Sequence, residues 1–170
     1  LLTLRRPETE LFQETQLREA QQAKQFKFPV LLVEDNDISR LVAVNMLEQF
    51  GCQITEARNG QEALDLLQSS SYAIVFMDVQ MPELDGFEAT RLIREREGHQ
   101  SHTIIVAMTA NAMRGDAEYC MAQGMDDYIA KPISLERIFD ILVKYSSPSE
   151  NVSVMPTNTR ADSDSMGLIN

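Results

Sequence analysis

Along the middle of the chain, apolar and polar positions alternate between a strand-like and a helix-like period, and that alternation sets out the elements. Pro29-Val-Leu-Leu-Val33 is a short apolar run ending in Glu34 and Asp35, as expected of a strand buried on both faces. From Ser39 to Phe50, Leu41, Val44, Leu47 and Phe50 recur at helical spacing, and Gly51 offers a C-terminal cap. Gln53 to Ala57 predicts a more amphipathic strand, and Asn59 can cap a helix carrying Ala63, Leu64, Leu66 and Leu67. Ala73 to Met77 is another buried strand, ending at Asp78. A loop with Pro82 and Gly86 leads into a helix over Phe87 to Arg96. Thr103 to Met108 predicts the fourth strand, ending at Thr109, and Asn111 to Gln123 a helix capped by Gly124. Asp127 to Ala130 is a short fifth strand before Lys131-Pro132. Ser134 can cap a last helix with Ile138, Ile141 and Leu142 on one face.

Five strands alternating with five helices predict an α/β fold, a parallel sheet covered on both faces. Right-handed crossovers make a doubly wound, three-layer αβα sandwich the economical topology. In the strand order 2-1-3-4-5, strands one and three meet where the winding direction reverses. Ligands of such sheets bind there, beyond the carboxyl ends of the strands.

Composition changes the picture mainly at the ends. The 170 residues are 44% hydrophobic and 24% charged, a soluble globular balance. No run approaches the roughly 18 apolar residues of a membrane span. The net charge of −11 opposes nucleic acid as a direct partner. It is concentrated in residues 28–147, whereas residues 1–27 are close to neutral. Glu8 to Lys27 is rich in good helix formers but keeps no heptad, so residues 1–27 read as a helical or flexible linker. Residues 148–170 lack periodicity and read as a disordered tail. A first residue that is Leu and not Met is expected of a piece of a longer protein. Cys52 and Cys120 lack metal-site spacing and sit among apolar neighbours, which predicts buried free thiols in a reducing cytosol. A cytoplasmic monomer is the expectation.

The chemistry follows from the strand ends. Glu34 and Asp35 end strand one, Asp78 strand three, Thr109 strand four and Lys131 strand five. Three carboxylates would therefore share one pocket, with a hydroxyl and an ammonium at its edge. Such crowding is costly without a positive charge between the acids. Oxygen-only ligands in a loose site suggest Mg²⁺. A dication flanked by Lys and Thr suits a phosphoryl group, and the nearest carboxylate can act as nucleophile to form an acyl phosphate. Singly, each residue has a plainer reading as a cap, a turn residue or a solvated charge; their gathering at one sheet end favours the site.

Val33-Glu-Asp-Asn36, Met77-Asp-Val-Gln-Met-Pro82 with Asp85-Gly86, Met108-Thr-Ala-Asn111 and Asp127-Tyr-Ile-Ala-Lys-Pro132 closely resemble the receiver domain of two-component response regulators. The likeness covers about residues 28–147 and is strongest to the C-terminal receivers of hybrid sensor histidine kinases. It implies a flavodoxin-like fold with Asp78 as phosphoacceptor. It implies Mg²⁺ held by the carboxylates of Asp35 and Asp78 and the backbone carbonyl of Gln80, with Glu34 helping through water. Lys131 would pair with a phosphoryl oxygen, its bond to Pro132 being cis. Thr109 would bond another oxygen after phosphorylation and draw Tyr128 inward as the readout. Gln80 and Asn111 would tune phosphoryl lifetime. The implied partner is a histidine kinase or a histidine phosphotransfer domain.

Two rivals are weighed against this. A haloacid-dehalogenase-type hydrolase needs a second acid two residues past its nucleophile, and position 80 is Gln. A degenerate receiver that only binds proteins would not need Asp35, Asp78, Thr109 and Lys131 together. Met77, Met108, Met121 and Met125 are expected as core filler. His99 and His102 are expected to face solvent in a polar loop at the far end.

Overall fold

A computed structural model describes residues 25–98, 101–110 and 114–146, except the side chains of Arg114 and Asp116. Residues 1–24 of the expected linker, the expected tail, His99 and Asn111 lie outside the described residues.

Five strands, β1 (Pro29–Val33), β2 (Gln53–Ala57), β3 (Ile74–Asp78), β4 (Ile104–Thr109) and β5 (Asp127–Ala130), form one parallel sheet in the order β2-β1-β3-β4-β5. The helices between and after them are α1 (Asp37–Gln49), α2 (Gly60–Ser69), α3 (Gly86–Glu97), α4 (Arg114–Ala122) and α5 (Leu135–Ser146). This is the flavodoxin-like sandwich expected, with alternate strand residues feeding two cores. Val30 and Leu32 of β1 join Ile74, Phe76, Val106 and Met108 beneath α1 and α5. Leu31 and Val33 join Val75, Met77, Ile105 and Ala107 beneath α2, α3 and α4. No helix among the described residues is long and apolar enough to cross a membrane.

Side-chain caps start the helices that frame the sheet's carboxyl end. Asn36 accepts from Ile38 N and Ser39 N, Asn59 from Glu62 N, and Asp85 from Glu88 N. The Asn36 cap starts α1 at Asp37, two residues before the expected start. Gly51 (φ 76°) and Gly124 (φ 93°) end their helices in the left-handed region, as expected.

Two packing expectations are corrected. Leu41 is 62% exposed, and the inward position on that turn of α1 belongs to Arg40, with Ala43 and Leu47 behind it. Met121 is also exposed, unlike Met77, Met108 and Met125, because α4 turns it away from the sheet. His102 is exposed, as expected, and its Nε2 lies 2.5 Å from Asp126 Oδ1. In addition, Phe26 is buried among Phe28, Phe50 and Phe139, and its N–H donates to the Phe50 carbonyl. The packed body thus includes a residue from the segment read as linker.

Candidate functional site

Parallel register brings the strand ends level. Val33 pairs with Met77, Asp78 with Met108, and Thr109 with Ala130. Glu34 therefore emerges beside Asp78, and Lys131 one residue beyond β5. Each is the first polar group after a run whose burial fixes where the strand stops. β3 is buried throughout, so Asp78 is carried to the site on a strand packed on both faces and is itself only 3% exposed.

The side chains of Glu34, Asp35, Asp78 and Lys131 converge at the sheet's carboxyl end. Lys131 Nζ donates to Glu34 Oε2 at 2.7 Å and to Asp78 Oδ2 at 2.8 Å. Glu34 Oε1 accepts from Asn36 N at 3.2 Å, and Asp78 Oδ1 from Gln80 N at 3.0 Å. Asp35 is exposed, yet one of its carboxylate oxygens lies within 4.8 Å of an oxygen from each of Glu34 and Asp78. Thr109 is buried, and its carbonyl accepts from Lys131 N at 2.8 Å, which ties the β4 and β5 ends together. Tyr128, level with Ala107 in the sheet, is partly buried and packs against the α2–α4 core. Gln80 has an exposed side chain. The Lys131–Pro132 bond is cis.

Charge in this cluster is held in tension. Burial pushes the Glu34 carboxyl above its ordinary range; the Lys131 hydrogen bond opposes the shift and the Asp78 charge adds to it. For Lys131, burial alone would lower the pKa. Its bonds to Asp78 and Glu34 outweigh that and raise it, so the ammonium stays charged. One ammonium against three carboxylates leaves negative charge in excess, and the donors are all oxygen. That set fits a small hard dication retaining several waters, Mg²⁺ above all. An ionised carboxylate beside an ammonium and a dication can attack a phosphorus centre, with the incoming charge offset where it arrives.

Two contributors escaped the sequence reading. A Cβ on Gly86 would stand 2.2 Å from the Asp78 carbonyl oxygen, so only glycine lets the β3–α3 loop close on the site. The Asp-Gly pair was visible in the sequence, though not its reason. Arg40 is buried behind the acids, its Nη1 donating to the Glu34 carbonyl at 2.9 Å. The only signal for it was a charged residue on a helix with too few inward apolar positions.

Comparison with known proteins bears directly on this arrangement. Residues 30–143 match the response regulator receiver domain family. Hybrid signal transduction histidine kinase L of Dictyostelium discoideum is 40% identical over 129 residues, covering 73% of this chain and 8% of that protein. The receiver domain of the sensor histidine kinase PA1611 from Pseudomonas aeruginosa, crystallised with magnesium coordinated in its active-site cleft, is 38% identical. Its TM-score is 0.64, over 70% of this chain and 97% of that one. A chain in the co-crystal of the Saccharomyces cerevisiae histidine phosphotransfer protein Ypd1 with the Ssk1 receiver domain aligns with TM-score 0.66 and 32% identity. It covers 70% of this chain and 88% of that one. The chain spans 16% or less of the curated relatives it matches. With the family match running from β1 to α5, this chain belongs to the response regulator receivers of two-component signalling.

Proposed function

We propose that this chain is a phosphorelay receiver in which Asp78 accepts a phosphoryl group from a phosphohistidine protein. The observation that carries the reading is the Lys131 ammonium bridging Asp78 and Glu34, with the Asp35 carboxylate within 4.8 Å. Mg²⁺, when bound, would supply positive charge opposite the arriving phosphoryl oxygens. The residues that would hold it are Asp35, Asp78 and the Gln80 carbonyl, with Glu34 through water. In the transfer, the donor's N–P bond breaks as an Asp78 carboxylate oxygen forms the new O–P bond, and the leaving imidazole takes up a proton. Lys131 orients one phosphoryl oxygen. Thr109 bonds another and lets Tyr128 follow it inward, converting the added charge into a changed surface. Gln80 and Asn111 set how readily water reaches the acyl phosphate.

The donor is a histidine kinase or a histidine phosphotransfer domain in the cytoplasm, where such donors carry their label. Support for a protein donor comes from the surface beside the site. Ile38 and Leu41 are 75% and 62% exposed on α1, and Val42 adjoins them, starting three residues beyond Asp35. Exposed apolar side chains grouped at a reaction centre suit docking of another protein.

The test is labelling by a phosphorylated histidine phosphotransfer protein. Asp78→Asn keeps the shape and removes the nucleophile, so transfer should vanish. Labelling that survives in this variant would exclude Asp78 as acceptor. If the unaltered chain is not labelled and its amide shifts ignore beryllofluoride with Mg²⁺, the domain is a binding module instead.

A further inference from the structure

Among the described residues, Arg40 is the one buried cation, only 6% exposed, and it lies directly behind the acidic cluster. Its donors reach three places. Nη1 bonds the Glu34 carbonyl, Nε bonds Glu56 Oε2 on β2 at 3.1 Å, and Nη2 bonds Asp37 at the start of α1. A buried guanidinium carries a large desolvation cost unless it is hydrogen-bonded, and here each of its three nitrogens has an acceptor.

The three acids are held differently. Glu34 is fixed by Lys131 and by Asn36 N, and Asp78 by Lys131 and by Gln80 N. The Asp35 side chain has no hydrogen-bond partner among the described residues, so its direction depends on its backbone. The peptide entering Asp35 includes the Glu34 carbonyl, and that unit is planar. On one side the Glu34 N–H is pinned to the Ala57 carbonyl at 3.1 Å. On the other, Arg40 grips the Glu34 carbonyl itself.

We propose that Arg40 is a positioning residue. By fixing the Glu34–Asp35 peptide to β2 and to α1, it holds the Asp35 carboxylate in range of Glu34 and Asp78 for a divalent cation. The inference rests on the Mg²⁺-dependent reading above and adds a residue that touches neither the ion nor the phosphoryl group. Lysine cannot replace it, because one ammonium does not reach three acceptors spread over three directions.

Charge and position predict opposite results. If Arg40 acted only through its positive charge, Arg40→Met would tighten Mg²⁺ binding and Arg40→Lys would leave it unchanged. A positioning role predicts that both weaken it, by about tenfold, the usual loss when a group orienting a metal ligand is removed. The experiment is a Mg²⁺ titration of the whole chain, read from the amide shifts of residues 34–36 and 78–80, with circular dichroism to confirm folding. Arg40→Lys carries the test if Arg40→Met does not fold. Affinity within twofold of the unaltered chain in the folded variants, or tighter in Arg40→Met, overturns the proposal. Loss of folding in both makes Arg40 a stability residue and overturns it equally. Should the unaltered chain bind no Mg²⁺, the fault lies in the functional reading, and that outcome is separate from the others.

Discussion

Cys52 shows how far burial reaches at the level of one residue. Its thiol is pushed by burial from 9.0 up to about 11, because a thiolate there would lose its water. The folded state thus favours the neutral thiol, while the unfolded chain ionises near the ordinary value. Stability from this difference is fully present below pH 9 and is lost as pH rises towards 11. The loss should be about 1 kcal/mol at pH 10. Urea unfolding of the chain and of Cys52→Ala, under reducing conditions at pH 8 and pH 10, measures it as a difference between two slopes. Equal slopes would contradict it. The same residue illustrates what single positions disclose in sequence. Apolar neighbours were enough to anticipate a buried free thiol at Cys52 and at Cys120. At Gly86 and Arg40 the neighbours in the chain say little, since what matters is the Asp78 carbonyl or the Glu34 carbonyl, which only the fold brings near.

At the level of an element, α1 presents two faces of unlike character. Arg40, Ala43 and Leu47 point to the sheet, and Ile38, Leu41 and Val42 to solvent. The helical spacing of Leu41, Val44, Leu47 and Phe50 suggests one inward stripe, but a step of three falls about 60° short of a full turn. Three such steps carry Phe50 to the side opposite Leu41. Phe50 and Leu47 are buried, Val44 half-buried and Leu41 exposed, which is that drift followed across the surface. The sequence pattern therefore located the helix correctly and misjudged which of its apolar residues are available to a partner. If the outward group receives the phosphohistidine protein, Leu41→Arg should slow transfer from that protein about tenfold, the effect of losing one good anchor. Labelling by acetyl phosphate, which needs no docking surface, should stay unchanged. An equal fall with both donors would mean that the substitution damages the site rather than the approach to it.

Across the whole molecule, a parallel, doubly wound sheet was legible because buried strands and capped helices alternate. Alternation alone does not fix the order β2-β1-β3-β4-β5 that decides which strand ends meet. What remained hidden was the balance of forces at that meeting. Lys131 keeps two nearly buried carboxylates, Glu34 at 1% and Asp78 at 5% side-chain exposure, from facing each other alone. Lys131→Ala removes their shared counter-charge, and losing one partner of a buried pair is more damaging than never having the pair. Without Mg²⁺ the variant should be about 2–4 kcal/mol less stable than the unaltered chain. A dication that enters the vacated field binds the folded state alone, so saturating Mg²⁺ should recover most of this difference by mass action. Mg²⁺ affinity itself should be kept or improved, since no ammonium competes for the carboxylates. The response to a phosphoryl mimic should be lost, because no ammonium remains to draw its oxygen towards the ends of β4 and β5, which carry Thr109 and Tyr128. Melting with and without Mg²⁺, and amide shifts on adding beryllofluoride, read the two halves separately. If the stability gap were the same with and without Mg²⁺, ion and ammonium would not be acting on the same carboxylates. If α4 and β5 amides still shifted, the route from the site to the surface would not pass through Lys131.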